Sequence, residues 1–486
     1  MQTNMSNIFI VNYSNLQDRY DAEFYSPYYT IKGIRHFLPL KKLTTSIIHP
    51  PEYPREFSEE GTQLIRSQNV RPLGINLEEN PVFFSQIFLE NRRIIKPKIG
   101  DVLVVRSGVN AGDTAAIEQN YSNAIIGADT LLCKCDAKIY PKFLQVYFFT
   151  DLGKRQMTRH ITGATNKHLN SSNLGKVQIP LLNLSEQIKC VDFYENAIKV
   201  KLQKENEAKA LLVTIDDYLL RELGIILPEK DECLKSRIFT TQFIEVSGKR
   251  LDPIPYDINT RKIKKAITNV DKTKFKVEKL NKYVINSISG DWGIEEAKED
   301  YTKCLVIRST EFDNQNNLNL ENNRIKYRYI KDDKLQKMDI QENDLLIEKS
   351  GGSPDQPVGR IAIITKNIIE NNIICFSNFI HKIRVNNQID VMYLFYYLRT
   401  IYNIGLTNSM QSQTNGIRNL IMNEYFNQNI ILPLKENGDV DFNKQRKIVS
   451  HIRDIHIKAQ LLQQEANDIL EQAKNQIEKE ILGETI

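Results

Sequence analysis

The chain states one plan twice, and this internal duplication constrains its fold more than any other feature. RYDAEFY at 19–25 is answered by RLDPIPY at 250–256, LIRSQNV at 64–70 by VIRSTEF at 306–312, and GDVLVVRSG at 100–108 by NDLLIEKSG at 343–351. ATNKHLN at 164–170 aligns with QTNGIRN at 413–419, QIPLL at 178–182 with IILPL at 430–434, and SEQIKCV at 185–191 with NKQRKIV at 443–449. The order is the same in both halves. The offset between copies drifts from 231 (Arg19 to Arg250) through 243 (Asp101 to Asp344) to 249 (Thr165 to Thr414). It then holds at 258 (Gln187 to Gln445) and 259 (Gly224 to Gly483). Each half is therefore a variable module followed by a spacer of fixed length. A repeat this long is a duplicated domain, not a solenoid unit.

The expected organisation is a first module at 13–182, a spacer helix at 183–224, a linker at 225–249, a second module at 250–434 and a second spacer helix at 435–486. The modules read as mixed α/β. LIRSQNV, DVLVVRSG and AIIGADTLLCKC in the first copy are short and β-branched, as are KCLVIRS, DLLIEKSG, GRIAIIT and FIHKIRV in the second, so they read as strands. FLQVYFFTDLGKRQM at 143–157 and MYLFYYLRTIYNIGL at 392–406 read as amphipathic helices burying aromatic faces.

The spacers carry the clearest periodicity. Ile448, Ile452, Ile455, Ala459, Leu462, Ala466, Ile469 and Ala473 alternate steps of four and three, the 3.5-residue repeat of a coiled-coil seam. Ile188, Val191, Ile198, Leu202, Ala208, Leu212, Ile215 and Leu219 give a rougher stripe on the first helix. Asn183 with Glu186 forms a capping-box pattern, and Gly224 and Gly483 lie where C-terminal caps belong. A helix of roughly 40 residues is about 60 Å long, and one with a single apolar stripe needs a partner. The duplicated helix is that partner, packed antiparallel. The fold class is α+β: two tandem mixed α/β modules separated by two long antiparallel coiled-coil helices.

Composition narrows function little. The charge of +5 and pI near 8.6 are compatible with nucleic acid without requiring it. The six cysteines show no zinc-finger spacing and read as reduced structural groups, and the seven histidines show no metal-ligand spacing. His451 and His456 fall on the spacer helix as solvated groups. The N-terminal stretch has no signal-peptide character and no apolar run reaches membrane-spanning length, so a cytoplasmic protein is expected.

The paired RxDxxxY entry, the stretch GATNKHLNSSNLGKVQIPLLNLSEQ and the Gln-bearing start of each spacer helix resemble the specificity (S) subunit of a type I restriction-modification system, over nearly the whole chain. The resemblance implies two target recognition domains, each reading half of a bipartite site in double-stranded DNA. It implies helices that act as a ruler and dock two methyltransferase subunits, with endonuclease/translocase subunits joining them. It implies no catalysis and no cofactor in this chain, with S-adenosylmethionine, ATP and Mg on the partners. The second copy departs from the pattern at QTNGIR, which loses the leading Gly and the His of GATNKHL.

Candidate DNA contacts follow the strands and the polar turn. In the first copy they are Arg66, Gln68, Asn69, Arg106, Ser107, Thr165, Asn166, Lys167 and His168. In the second they are Trp292, Arg308, Ser309, Lys349, Ser350, Thr414, Asn415 and Arg418. Arg suits guanine and Asn or Gln suits adenine, while Lys suits phosphate. Candidate coiled-coil and partner-docking positions are Ile188, Val191, Ile198, Leu202, Leu212, Ile215, Leu219, Ile448, Ile452, Ile455, Leu462 and Ile469.

Enzyme readings are poor. Asn80-Pro81-Val82-Phe83 lacks the second Pro and the Tyr of an adenine-methyltransferase box and reads as a loop entering a strand. Glu348 and Lys349 are adjacent, so on a strand they point to opposite faces and cannot share a nuclease site. There is no phosphate-binding GxxxxGK[ST] loop. Two other classes remain open at this level: a subunit of this kind serving another methyltransferase-based phage-defence complex, and a protein scaffold that binds no DNA.

Overall fold

The computed structural model describes residues 9–16, 21–163, 166–231, 233, 237–247, 250–313, 317–321, 324–353, 356–414 and 416–484. The chain divides into two compact units, and the division cuts both long helices: Met1–Glu207 with Leu461–Ile486, and Ala208–Gln460.

The first unit is built on a four-stranded antiparallel sheet in the order Thr44–Ile48, Thr130–Cys135, Asp101–Val105, Thr114–Ala116. Every residue of Asp101–Val105 is buried because both faces of the sheet are covered. Val102 and Val104 point into a core with Phe143, Tyr147 and Leu144, while Leu103 and Val105 point into a second core with Ile65 and Ile126. Alternation along one strand thus feeds two cores, which is why DVLVV has no polar face after its first residue. The second core is roofed by a three-stranded sheet in which Thr62–Ile65 runs antiparallel to Phe83–Phe84 and parallel to Ala124–Ile126. A two-stranded ribbon pairs Phe37–Pro39 with Gln178–Pro180.

The second unit repeats the four-stranded sheet, the three-stranded sheet and the ribbon, and adds a sheet of Ser350–Gly351, Ile417–Leu420 and Gln411–Thr414 where the first unit has isolated bridges among its described residues. Its four-stranded sheet runs Val284–Ser289, Ile380–Val385, Leu345–Glu348, Ile361–Ile363. Its three-stranded sheet pairs Tyr301–Ile307 antiparallel with Lys326–Lys331 and parallel with Ile374–Phe376. Its ribbon pairs Phe275–Lys279 with Asn429–Pro433. Leu345 and Ile347 enter one core and Leu346 the other, matching Val102, Val104 and Leu103.

The aromatic stretch expected as one helix at 143–157 is two. Pro141–Phe149 ends at Thr150, whose hydroxyl accepts the Gly153 N–H and caps Asp151–His160. Thr150 stands between the apolar PKFLQVYFF and the polar DLGKRQMTRH, where a Thr is a better N-cap than helix interior, and that preference breaks the helix. The second-copy counterpart, Val391–Asn403, is continuous.

The long helices span Leu184–Glu222 and Phe442–Leu482. The capping box is present: Asn183 accepts the Glu186 N–H at 3.0 Å and Glu186 accepts the Asn183 N–H at 2.9 Å. Both helices end on a left-handed glycine, Gly224 at φ +66° and Gly483 at φ +74°. The following N–H groups close back on the last turn, Ile225 to Leu220 O and Glu484 to Lys479 O. In the first unit Lys189 pairs with Glu480 at 2.9 Å and Lys204 with Glu465 at 2.6 Å, so the segments run antiparallel. In the second unit Lys444 pairs with Glu222 in the same sense. Each module core takes in the start of its own helix and the end of the other: Cys190, Val191 and Tyr194 with Ile477 and Ile481 in the first unit, Ile448 and Ile452 with Ile215 and Leu219 in the second.

The seam of the second helix lies where its 3.5-residue repeat places it. Ile448, Ile452, Ala459 and Ala466 are buried, and Ile455, Leu462 and Ile469 partly so. The first helix differs. Val191, Ile215 and Leu219 are buried and Ile198 and Leu212 partly buried, but Ile188 and Leu202 are each 47% exposed. Besides the expected Ala208, its buried residues include Gln187, Cys190, Tyr194 and Ala197, because the start of this helix also packs on its own module: Gln187 bonds Tyr140, Lys138 and Leu182, and Tyr194 donates to Pro72 O. His456 is also packed, against Tyr396 and Arg399, and burial lowers its pKa. His451 stays exposed and lies 4.1 Å, ring to ring, from Tyr218.

Candidate nucleic-acid interface

In each module the central strand leaves the sheet through a basic residue, a serine and a left-handed glycine: Arg106-Ser107-Gly108 with φ +95° and Lys349-Ser350-Gly351 with φ +116°. No side chain would clash at Gly108, so the glycine is there for its backbone. The turn it makes lays the serine against a hairpin. In the first module Leu169 N–H donates to Arg106 O at 2.8 Å and Gly108 N–H to Lys167 O at 3.1 Å. In the second, Leu420 N–H donates to Lys349 O at 2.7 Å and Gly351 pairs with Arg418.

These bonds define which residues correspond, and the correspondence differs from the sequence alignment. Lys167 matches Arg418 and His168 matches Asn419, not Gly416 and Ile417. Thr162 pairs with His168 in one hairpin and Ser412 with Asn419 in the other. The intervening turn is one residue longer in the second module, and its strands pair further, to Thr414 with Ile417. Thr-Asn is a common turn dipeptide, so its recurrence does not fix register; backbone pairing does.

The corner is polar and only partly covered. Asn166 and Lys167 are exposed, and Arg106, Ser107, His168 and Arg418 partly buried. Arg106 donates to Ala128 O at 3.2 Å, and His49 Nε2 lies 3.0 Å from the same oxygen. Burial, with Arg106 and His49 adding, keeps His168 below its ordinary pKa and so neutral at neutral pH. Lys349 Nζ donates to Ser289 Oγ at 3.0 Å, and His381 lies between Ser289 and Ser287 at 3.1 and 2.7 Å. Burial, with Lys349 adding, pushes the His381 pKa down to about 4.

The other candidates divide. Asn69 is 1% exposed, accepts the Arg66 N–H and donates to Asn76 O and Glu79 O, which makes it a loop-builder rather than a surface reader. Arg66 reaches Asn80 O at 2.5 Å and Gln68 lies 3.4 Å from Glu79 O and Asn80 O. In the second module Glu311 replaces Asn69, accepts the Arg308 N–H, and holds the Arg308 guanidinium at 2.6 and 3.1 Å, so this charge is already met. Ser309 comes to the corner: its carbonyl accepts from Arg360 and its Oγ lies 3.9 Å from where a Cβ on Gly351 would sit. Trp292 is 38% exposed and carries Arg328 over its ring at 5.3 Å, beside the three-stranded sheet. Thr165 and Asn415 lie outside the described residues, and Thr414 is described only as the end of its strand.

Glu348 and its neighbour Asp344 are held in structural ion pairs. Arg360 holds Glu348, Lys349 points away to Ser289, and Asp344 is held by Lys382 at 3.2 Å and Arg384 at 2.7 Å. Among the described residues no cluster of His, Cys, Asp and Glu could hold a metal ion, and no helix is long and apolar enough to cross a membrane. The entry signature is also a brace. Arg250 binds Asp252 at 2.7 Å, Ser409 O at 3.1 Å and Gln411 O, tying the start of the module to the base of the hairpin, while Tyr256 donates to Arg250 O at 2.7 Å. Sequence reading missed Asn419, Ser287, Ser289, His381 and His49, none of which stands out without the pairing that gathers them.

No protein-family model and no curated protein matches the chain. Among solved structures, a chain from work on complex assembly and conformational transition of the type I R-M system is 13% identical, with coverage of 93% of this chain and 98% of that one and a TM-score of 0.52. The HsdS subunit from Thermoanaerobacter tengcongensis is 14% identical with coverage of 93% and 97% and a TM-score of 0.39. The type I restriction-modification S subunit from M. genitalium is 14% identical with coverage of 92% and 96% and a TM-score of 0.37. At these identities the likeness is one of fold, and the first carries it: the chain shares the fold of a type I R-M system chain over nearly the full length of both.

Proposed function

We propose that this chain is the DNA-recognition subunit of a type I restriction-modification complex, reading an asymmetric bipartite site and docking methyltransferase and endonuclease subunits. The observation that carries the reading is the repetition itself. Two modules of one topology present the same basic-Ser-Gly corner and hairpin, and each starts a long helix whose far end enters the core of the other unit. Paired readers of this kind suit paired half-sites. Their corners differ in side chains, Arg106 against Lys349 and Lys167 against Arg418, so the half-sites differ. The cations contact phosphates and the polar side chains around them contact base edges. The reacting groups belong to the partners, and the chain supplies address and assembly.

The test is single-molecule methylation mapping of a host genome with and without the gene. Loss of one interrupted, asymmetric adenine-methylation motif is expected. An unchanged methylome sinks the proposal. Purified chain should also bind its own site with a steep inverse dependence on salt, because phosphate contacts release counterions.

A further inference from the structure

The hairpin register brings together two pairs that the sequence alignment separates. Ser107 Oγ lies 3.0 Å from His168 Nδ1, and Ser350 Oγ donates to Asn419 Oδ1 at 2.8 Å. The serines are equivalent, and so are their partners, by the flanking backbone bonds from Leu169 to Arg106 and from Leu420 to Lys349. Each pair fixes one end of a planar side chain and leaves the other end unused. Nε2 of His168 and Nδ2 of Asn419 have no partner among the described residues.

We propose that His168 and Asn419 are the matched specificity-determining residues of the two modules, each presenting a pre-oriented N–H donor to an acceptor on a base edge in its half-site. The inference rests on the DNA-recognition reading above. A serine hydroxyl can donate to or accept from an imidazole nitrogen. In the proposed tautomer Ser107 donates to Nδ1, so that the imidazole proton sits on Nε2, facing away from the serine. With Ser350 donating to Oδ1, the Asn419 amide is oriented so that its NH2 faces away. A donor in the major groove meets N7 or O6 of guanine, N7 of adenine or O4 of thymine, and which one it meets is set by shape and reach. An imidazole offers one donor on a ring, whereas an amide offers two on a shorter arm. The same scaffold position therefore asks a different question of the base in each module. The neighbouring cations Lys167 and Arg418 sit one residue earlier on the same hairpin strand, placed for the backbone of the same stretch of DNA.

The experiment maps genomic methylation in strains carrying the full-length chain with His168→Asn, Asn419→His, Ser107→Ala or Ser350→Ala. His168→Asn should alter the preference at one base of one half-site by roughly tenfold, and Asn419→His should do so in the other half-site. The gap and remaining bases should be unchanged. The serine variants keep the reading side chain but release it, so each should relax the same base as its partner variant without creating a new preference. Should either exchange abolish methylation through misfolding, the milder serine variant decides for that module. Methylation retained with both half-sites unaltered in all four strains overturns the inference while leaving the recognition reading intact. Absence of any gene-dependent motif in the unaltered strain overturns both.

Discussion

Arg360 grips Glu348 through two parallel hydrogen bonds, 2.8 and 2.9 Å, with both side chains all but removed from solvent. The guanidinium also donates to Phe312 O and Ser309 O, so it ties the central strand to the loop that carries Ser309. The first module has Val105 where the second has Glu348, and Asp113 where it has Arg360. The same frame therefore folds without the pair. Arg360→Met alone leaves a buried carboxylate without its partner and should cost about 3–5 kcal/mol. The double variant Glu348→Val with Arg360→Met should recover most of that loss. A double-mutant cycle in urea checks it, and additive losses would show that the loop bonds, not the ion pair, dominate.

His381 supplies a pH dependence at a strand position that is apolar in the first module. It sits in the strand position held by Leu131 in the first copy. Lys349, Ser287, Ser289 and the Phe426 ring face it. Burial lowers its pKa from 6.5 to about 4, so the unfolded chain takes up a proton that the folded chain refuses. Its contribution to stability is full above about pH 6.5 and is lost as pH falls towards 4, by about 3 kcal/mol in all. Thermal melts from pH 7 to 4 should show the second module losing stability, and His381→Leu should flatten that slope. An unchanged slope in the variant would place the acid sensitivity elsewhere.

Much of this architecture is legible in the sequence, and the failures have physical causes. The duplication, the capping box at Asn183 and Glu186 and the terminal glycines are local patterns with local mechanisms, and the structure holds them as read. The seam of Ile448, Ile452 and Ala459 is legible because its repeat is regular. On the first helix Ile188 and Leu202 mislead, because the buried positions near the helix start include Gln187, Cys190 and Ala197, whose polar or small side chains carry weak apolar signal. Asn69 misleads for another reason: a polar residue after a strand is ordinarily a surface group, but here it fills a loop. The match of His168 to Asn419 depends on strand pairing across dozens of residues, which no local pattern encodes.

Gln187 and Gln445 explain why each long helix begins with a glutamine. The Gln187 carbonyl accepts the Tyr140 N–H at 2.7 Å and its amide donates to Lys138 O and Leu182 O. Gln445 accepts the Asp390 N–H at 2.9 Å, and its own Nε2 is buried without a partner among the described residues. Both side chains are buried and hold the N-cap residue of the aromatic helix in their module. Gln187→Leu strands one donor and two acceptors and should cost about 2–4 kcal/mol, whereas Gln445→Leu strands one donor and removes an unpaired amide, for about 1 kcal/mol. Denaturant titration of the two variants should therefore rank them clearly. Equal losses would mean that the side-chain volume matters more than the hydrogen bonds.

The antiparallel seam makes a stricter test of the proposed ruler. Removing residues 201–207 from the first helix and 459–465 from the second deletes seven residues from each and keeps the buried faces in phase, because seven residues are two turns of a 3.5-residue repeat. Lys204 and Glu465, which pair at 2.6 Å, leave together, so no charge is orphaned. Each helix shortens by about 10 Å, close to three base-pair rises of about 3.4 Å. Methylation mapping should then show the same bases in both half-sites with a gap about three base pairs shorter. New bases in either half-site would mean that the helices shape the reading corners themselves. An unchanged gap would remove the helices as the ruler and leave docking of the partner subunits as their remaining role.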